Sequence, residues 1–438
     1  MDGSRTSERA RVALLGLGCR VSRSDLDALA SALAPPFAIC EDGAEADYVV
    51  VYSCTVTADA DAATRQAVRR AAREHPRADI VVAGCFAELY PEELRRLPGV
   101  AAVVGTGLTG GHEEVLRALY ARRPGAGPPS PPPPGPPRPF HHTRAFLKVE
   151  DGCDASCAYC IVPRARGPAR SLPFEVALAH VAELARASPE VVLTGVHLGV
   201  YGRDLVPARS LLELVRAVEQ GRLSRRVRLS SIEPLEVPPA LFGGGRPGAL
   251  CEHLHLPLQS GSDRVLAAMR RPYRARDYAR TVERVAAEAA DLCVGADVIA
   301  GFPGESEADH RATLALLEGL PIAYLHVFPF SARPGTAAAA MGDPVDPALA
   351  RERASELRAF SRQRWRAYAA RHVGREVEAV VERVQGGLAT GTARSYLGVR
   401  WPSSGERRGD LVRVRVLSVE DETCRGSRAV PEGAPWPP

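Results

Sequence analysis

Short runs of apolar, often β-branched residues alternate with helical patterns along most of this chain, and that alternation constrains the fold before any motif is read. Val12-Ala13-Leu14-Leu15, Tyr48-Val49-Val50-Val51-Tyr52, Ile80-Val81-Val82-Ala83 and the stretch from Val100 to Val104 read as buried strands. Ser24 and Thr57 stand where helix caps belong, and a further helix starts around Pro91. Continuous apolar strands joined by helices imply a parallel, doubly wound α/β sheet over residues 1–120.

Residues 121–139 are dominated by proline and glycine, a composition that makes an extended spacer rather than a core. The alternation then resumes over 140–371. Candidate strands are Ala145–Val149, Val191–Thr194, Val227–Ser230, His253–Pro257, Cys293–Ile299 and Ala323–Phe328, separated by helical patterns. Six such units suggest a partial (β/α)6 barrel, with chemistry at the C-terminal ends of its strands. From residue 372 the period shifts to two, in Val377–Glu382 and Leu411–Val416, which reads as a small antiparallel β-barrel over 372–430. Arg394, Arg400, Arg407, Arg408, Arg413 and Arg415, with Tyr396 and Trp401 between them, give it an RNA-binding character; a solvated basic face is the alternative. Residues 431–438 read as a disordered tail.

The ten cysteines carry the chemistry. Cys153, Cys157 and Cys160 follow the first strand of the second region at C-x3-C-x2-C spacing, which suits an iron–sulfur cluster. Three ligands leave one iron of a four-iron cluster open to a small molecule, as open positions do in catalytic metal sites. Zinc would want a fourth ligand, and the next histidine, His180, lies a helix away. Cys19, Cys54 and Cys85 each lie just past a strand of the first region, so a parallel sheet would gather them on one edge. That predicts a second three-cysteine site, although three separately buried cysteines would fit the same pattern. Gly16-Leu17-Gly18 lacks the third glycine of a dinucleotide loop. Cys40, Cys251, Cys293 and Cys424 form no spacing and read as packing residues. Around the barrel, Gly195 and His197, Ser231 and Glu233, Gln259 and Ser260 follow successive strands, and Asp297 lies on the fifth.

A net charge of +4 is too mild to demand a nucleic-acid partner. Lys148 is the single lysine, so the positive charge is almost all arginine, the better bidentate phosphate ligand. No apolar run approaches the ~20 residues of a membrane span. The first residues lack the apolar core of a signal peptide, so a cytoplasmic protein is expected.

Together these features resemble the radical S-adenosylmethionine (SAM) methylthiotransferases over nearly the whole chain apart from the linker and tails. The resemblance implies a radical SAM [4Fe-4S] cluster on Cys153, Cys157 and Cys160, the catalytic set, and an auxiliary [4Fe-4S] cluster on Cys19, Cys54 and Cys85. Gly195, Ser231, Glu233, Gln259, Ser260 and Asp297 are then the expected SAM contacts, and the terminal barrel an RNA-binding TRAM module. The segments Leu15-Gly16-Leu17-Gly18-Cys19-Arg20-Val21, Leu193 to Gly202 and His326-Val327-Phe328-Pro329-Phe330-Ser331 look most like the branch acting on threonylcarbamoyl-adenosine at position 37 of tRNA. The reaction implied replaces the adenine C2–H by C2–SCH3. The partners implied are that tRNA and an electron-donor protein of flavodoxin or ferredoxin type, the enzyme acting as a monomer. Other branches modify isopentenyl-adenosine or a ribosomal-protein aspartate. A different class of reading is an RNA-binding metal protein without turnover. Two positions depart from the family's pattern: Ser22 stands where asparagine is usual, and Leu172 where arginine is usual.

Overall fold

The computed structural model describes residues 9–33, 37–40, 44–106, 111–123, 136, 139–140, 142–243 and 248–429. Most of the proline-rich linker and the whole 431–438 tail lie outside these residues.

The first region is built from β1 (Ala10–Gly16), α1 (Arg20–Ala32), β2 (Phe37–Ile39), β3 (Tyr48–Ser53), α2 (Ala58–Glu74), β4 (Asp79–Gly84), α3 (Cys85–Leu89), α4 (Pro91–Arg95), β5 (Val100–Val104) and α5 (His112–Arg122). Its five strands are parallel in the order β2-β1-β3-β4-β5. Successive residues of β3 face opposite ways, as the strand pleat requires. Tyr48, Val50 and Tyr52 pack with Leu26 and Leu29 of α1 and Leu116 of α5. Val49 and Val51 pack with Val68 of α2 and Leu94 of α4. Both faces are therefore covered, and the sheet is doubly wound. Thr57 caps α2 by accepting from the Ala60 N–H at 3.2 Å, with Asp59 and Asp61 in the first turn opposing the helix dipole.

The second region runs β6 (Ala145–Lys148), β7 (Glu150–Asp151), α6 (Val162–Arg166), β8 (Arg170–Ser171), α7 (Phe174–Ala187), β9 (Val191–Thr194), α8 (Leu211–Gln220), β10 (Val227–Leu229), β11 (His253–His255), α9 (Asp263–Ala268), α10 (Ala275–Glu288), β12 (Cys293–Ala300), α11 (Glu307–Gly319), β13 (Tyr324–Pro329) and α12 (Pro347–Ala370). Two parallel sheets, β6-β9-β10 and β11-β12-β13, are joined by the parallel bridges Val227 to Leu250 and Ser231 to His255. The result is an open barrel of six parallel strands. At the β6 edge, Ser24 of α1 donates to the Phe146 carbonyl at 3.1 Å and accepts the Lys148 N–H at 3.3 Å, so a helix of the first domain satisfies an otherwise bare strand edge.

The last region is a closed barrel of β14 (Glu376–Gln385), β15 (Leu388–Ala393), β16 (Gly398–Pro402), β17 (Leu411–Glu420) and β18 (Thr423–Arg428), ordered β14-β15-β16-β18-β17. Its neighbours pair antiparallel except at the closure, where β16 and β18 run parallel. Gly386 and Gly387, both at positive φ, form the two-residue turn between β14 and β15. Three residues assigned to its basic surface point elsewhere, Tyr396 among them, whose ring stacks on His253 of the second domain. Trp401 is fully buried in the barrel core, and Arg394 turns into the second domain against Glu252. Cys251, Cys293 and Cys424 are buried as packing residues; Cys40 is partly exposed.

The interface between the last two domains is polar and charge-paired. Glu190, at 0% exposure, pairs with both Arg226 and Arg228 at 2.6 Å. The same two guanidiniums donate to the carbonyls of Thr392, Ala393 and Arg394. Each buried charge thus has a partner, the condition under which such charges are tolerated.

Candidate metal and substrate site

Strands β1, β3 and β4 are neighbours, so the residues after them share one edge. Cys19 precedes α1, Cys54 follows β3, and Cys85 opens α3. The three thiols lie close enough to perturb one another electrostatically. Burial pushes Cys54 up, and pushes Cys85 up to about 11 against the pull of Arg166. Gly84, at φ +97°, allows the approach: a Cβ there would stand 2.7 Å from the Ser53 carbonyl. The Cys54 loop is tied to the second domain by Arg333, whose guanidinium donates to Thr55 and Asp61 at 2.8 and 2.5 Å.

The second set sits in a loop closed by the β7/β8 hairpin. Gly152, at φ +89°, lies where a Cβ would be 2.0 Å from the Pro168 carbonyl, and Cys153 N donates to Gly167 O at 3.0 Å. Cys153 Sγ meets His197 Nδ1 at 3.5 Å, and His197 Nε2 faces Glu236 at 3.0 Å. Burial opposes the imidazolium, but Cys153 and Glu236 together push His197 up to about 10. Arg271 donates to Cys157 Sγ at 3.2 Å and pairs with Glu233. Burial pushes Cys160 up to about 12.

Arg166, at the end of α6, joins the two sets. Its Nε donates to Cys85 Sγ at 3.2 Å, while its other nitrogens hold Asp151 at 2.9 Å and Asp25 at 3.2 Å. Lys148 completes the cluster on the same two carboxylates, at 2.5 and 2.7 Å. Ser22 Oγ lies 3.8 Å from Cys19 Sγ and 3.5 Å from Arg166, filling the place where asparagine is usual in the family. Leu172 packs its side chain against the core, and its carbonyl accepts the Tyr201 hydroxyl.

Both sets suit iron–sulfur clusters by their donor chemistry. Each offers three thiols and carries a charged N–H donor on one sulfur, which stabilises thiolate and cluster charge.

The six expected SAM contacts are not one shell. Gly195 lies against Glu150: a Cβ there would stand 2.6 Å from the carboxylate, which accepts the His197 N–H at 2.6 Å and is pushed up to about 7 by burial. Glu233 is held at the Cys157 loop through Arg271. Ser231 is exposed at the end of β10. Gln259 adopts φ 70°, and its N–H donates to the Asp297 carbonyl at 2.8 Å. The Ser260 hydroxyl is turned inward, accepting the Ser262 N–H at 3.2 Å beside Thr313. Asp297 lies deeper, between His255 Nε2 at 2.7 Å and His326 Nδ1 at 3.3 Å. Those two histidines hold its carboxyl below the usual range despite burial. The three ligating atoms lie within 4.8 Å of one another, so the trio is also a donor set of cation-binding type.

Sequence reasoning missed Arg166, Arg271, Glu150, His255 and His326. Of these only His255 and His326 carried a signal. In β11 to β13, Leu254, Ala296, Val298 and Leu325 pack outward against helices. The alternating partners His253, His255, Asp297, Tyr324 and His326 must then face inward. Tyr396, from the turn between β15 and β16, closes this interior from the third domain. It holds a left-handed φ of 64° and stacks on His253 at 4.1 Å between ring centres. Arg20, beside Cys19, donates to its hydroxyl at 3.3 Å. A cavity of about 680 Å³ opens here, with Tyr324, His326, Trp365, Tyr396 and Arg362 among its walls.

Comparison with known proteins agrees with this arrangement. Residues 11–105 match the uncharacterized protein family UPF0004, and residues 147–317 match the radical SAM superfamily. The threonylcarbamoyladenosine tRNA methylthiotransferases MtaB of Thermotoga maritima and Bacillus subtilis are each 34% identical to the chain, covering 94% of it and 95% and 94% of their own lengths. A tRNA-2-methylthio-N(6)-dimethylallyladenosine synthase of Cereibacter sphaeroides is 33% identical, over 96% of this chain and 99% of its own. In fold, the radical SAM methyltransferase TsrM of Kitasatospora setae superposes with a TM-score of 0.53 at 14% identity, over 88% of this chain and 81% of that one. The chain belongs to the radical SAM tRNA methylthiotransferases, enzymes that use S-adenosylmethionine and two [4Fe-4S] clusters.

Proposed function

We propose that this enzyme converts threonylcarbamoyl-adenosine at position 37 of tRNA to its 2-methylthio derivative. In this reading Cys153, Cys157 and Cys160 hold the SAM-binding cluster, and Cys19, Cys54 and Cys85 hold the auxiliary one. When bound, these groups and SAM supply the radical that removes the C2 hydrogen and the sulfur that replaces it. The residues of the chain position and exclude. His197 and Arg271 each place a positive N–H on a ligand sulfur, at Cys153 and Cys157. Glu233 is oriented by Arg271 toward the same loop, and it and Gly195, which lies against the Glu150 that accepts the His197 N–H, are the expected SAM contacts set beside the ligand loop. Residues 372–430 grip the RNA, and a flavodoxin- or ferredoxin-type protein delivers electrons to the monomer.

The observation that carries the choice of substrate is the polar interior. His253, His255, Asp297, Tyr324, His326, Tyr396 and Arg20 line it with hydrogen-bonding groups. A threonylcarbamoyl group brings a carboxylate, a hydroxyl and a urea to match them. These groups pair mainly with one another, so an isopentenyl group would set apolar atoms against a polar wall and gain no hydrogen bond from it. The test is expression in a bacterial host stripped of its own methylthiotransferases, followed by nucleoside analysis of its tRNA. Appearance of 2-methylthio-threonylcarbamoyl-adenosine is expected. Appearance of the isopentenyl product alone would move the enzyme to the other tRNA branch.

A further inference from the structure

We propose that Arg20 is the receptor for the carboxylate of the substrate's threonyl group. This inference rests on the substrate reading above and deepens it. Arg20 is the first residue of α1, directly after Cys19, and it reaches across to the third domain, where its described contact is the neutral hydroxyl of Tyr396 at 3.3 Å. Among the described residues no carboxylate pairs with it. The other arginines that face the interior are matched: Arg226 and Arg228 by Glu190, Arg166 by Asp25 and Asp151, Arg271 by Glu233. Asp297 is already taken by His255 and His326, and of the carboxylates that line the cavity, Glu420, Asp421 and Glu422, the first pairs with Arg400 and the second with Arg366. A half-buried guanidinium with no carboxylate partner among the described residues can take one, and arginine's planar fork suits a carboxylate.

The neighbours add direction. Arg20 acts electrostatically on His253 and on Tyr324, and burial keeps His253 neutral, so the rings around the guanidinium offer no negative charge. Tyr324 and Tyr396 stack at 5.7 Å and both line the 680 Å³ cavity, so the tyrosine that Arg20 bonds is part of its wall. Tyr396 holds its ring there from a left-handed backbone, a conformation uncommon for a bulky residue and often found where a side chain must be aimed. Because Arg20 follows Cys19, the group that reads the N6 substituent is bonded to the segment that would carry the sulfur-bearing cluster. Recognition and sulfur delivery would then share one piece of backbone.

The test uses the anaerobically reconstituted full chain and three anticodon-arm RNAs: one with threonylcarbamoyl-adenosine, one with its carboxylate blocked as the methyl ester, one with isopentenyl-adenosine. The wild-type enzyme is expected to prefer the free acid over the ester by about 100-fold in kcat/KM, the scale of a lost charged hydrogen bond in a closed site. In Arg20→Met the acid falls to the level of the ester while the ester is unchanged, and Arg20→Lys recovers part of the difference. Iron content and the cluster spectra of Arg20→Met should equal those of wild type. Tyr396→Phe, which changes no residue of the two domains that carry the metal-ligand cysteines, should lower the acid selectively but less. Equal turnover of acid and ester by the wild-type enzyme overturns the proposal without any variant. Equal losses on all three RNAs in Arg20→Met also overturn it, marking a phosphate or structural contact. If the wild-type enzyme modifies only the isopentenyl RNA, the substrate reading itself fails, a result distinct from either.

Discussion

Replacing Arg166 by methionine tests the account of how the two metal-ligand sets are held together. The guanidinium is 2% exposed and serves Asp25, Asp151 and Cys85 at once. Methionine keeps most of the volume but leaves two carboxylates without that partner, and Asp25 is only 5% exposed. Removing one partner of a buried ion pair costs ~3–5 kcal/mol. Lys148 remains on both carboxylates, so the low end applies, about 3 kcal/mol. At about 2–4 °C per kcal/mol for a unit of this size, the first melting transition should fall by roughly 6–12 °C. Anaerobic calorimetry of the full chain measures this, with Arg166→Lys as the graded control, since an ammonium cannot span all three partners. A melting point within about 2 °C of wild type would refute the reasoning and make the cluster a set of independent surface-like pairs.

Reconstituted wild-type protein should contain about eight irons, and Cys54→Ala about four once its auxiliary cluster is lost; full iron content in the variant would remove Cys54 from the ligand set. A second expectation concerns acid. Burial, aided by Arg228 and Arg20, lowers the His253 pKa, so the folded imidazole stays neutral while the unfolded one takes up a proton below ~6.5. Stability contributed this way is present above that pH and is lost as pH falls, by about 1.4 kcal/mol per unit. Melting between pH 7.5 and 5.5 should therefore be less steep in pH for His253→Gln than for wild type, and an identical slope would exclude a neutral His253.

Much of this was readable from residues alone because the signals were periodic or local. Val191–Thr194 appears with the expected bounds, and the parallel order β1-β3-β4 brings Cys19, Cys54 and Cys85 to one edge. Helix α12 escaped notice although it has 24 residues, since its apolar positions are sparse among arginines and glutamates and trace no continuous stripe. Arg166 and Arg271 were invisible for another reason. Each acts through partners more than a hundred residues away or on a different domain, and an arginine among dozens carries no mark of which sulfur it will face. Trp401 showed the opposite failure: flanking arginines suggested a surface, whereas strand alternation in β16 turns the indole inward.

The paired guanidiniums of Arg226 and Arg228 have a consequence for the order in which the protein matures. During synthesis the second domain leaves the ribosome before the third, and the carbonyls of Thr392, Ala393 and Arg394 that these side chains require do not yet exist. Until β15 arrives, Glu190 must serve both cations, with Arg144 3.8 Å away as a third, and His253 lacks the Tyr396 ring that stacks on it. The second domain is thus left unfinished until the terminal barrel has folded against it.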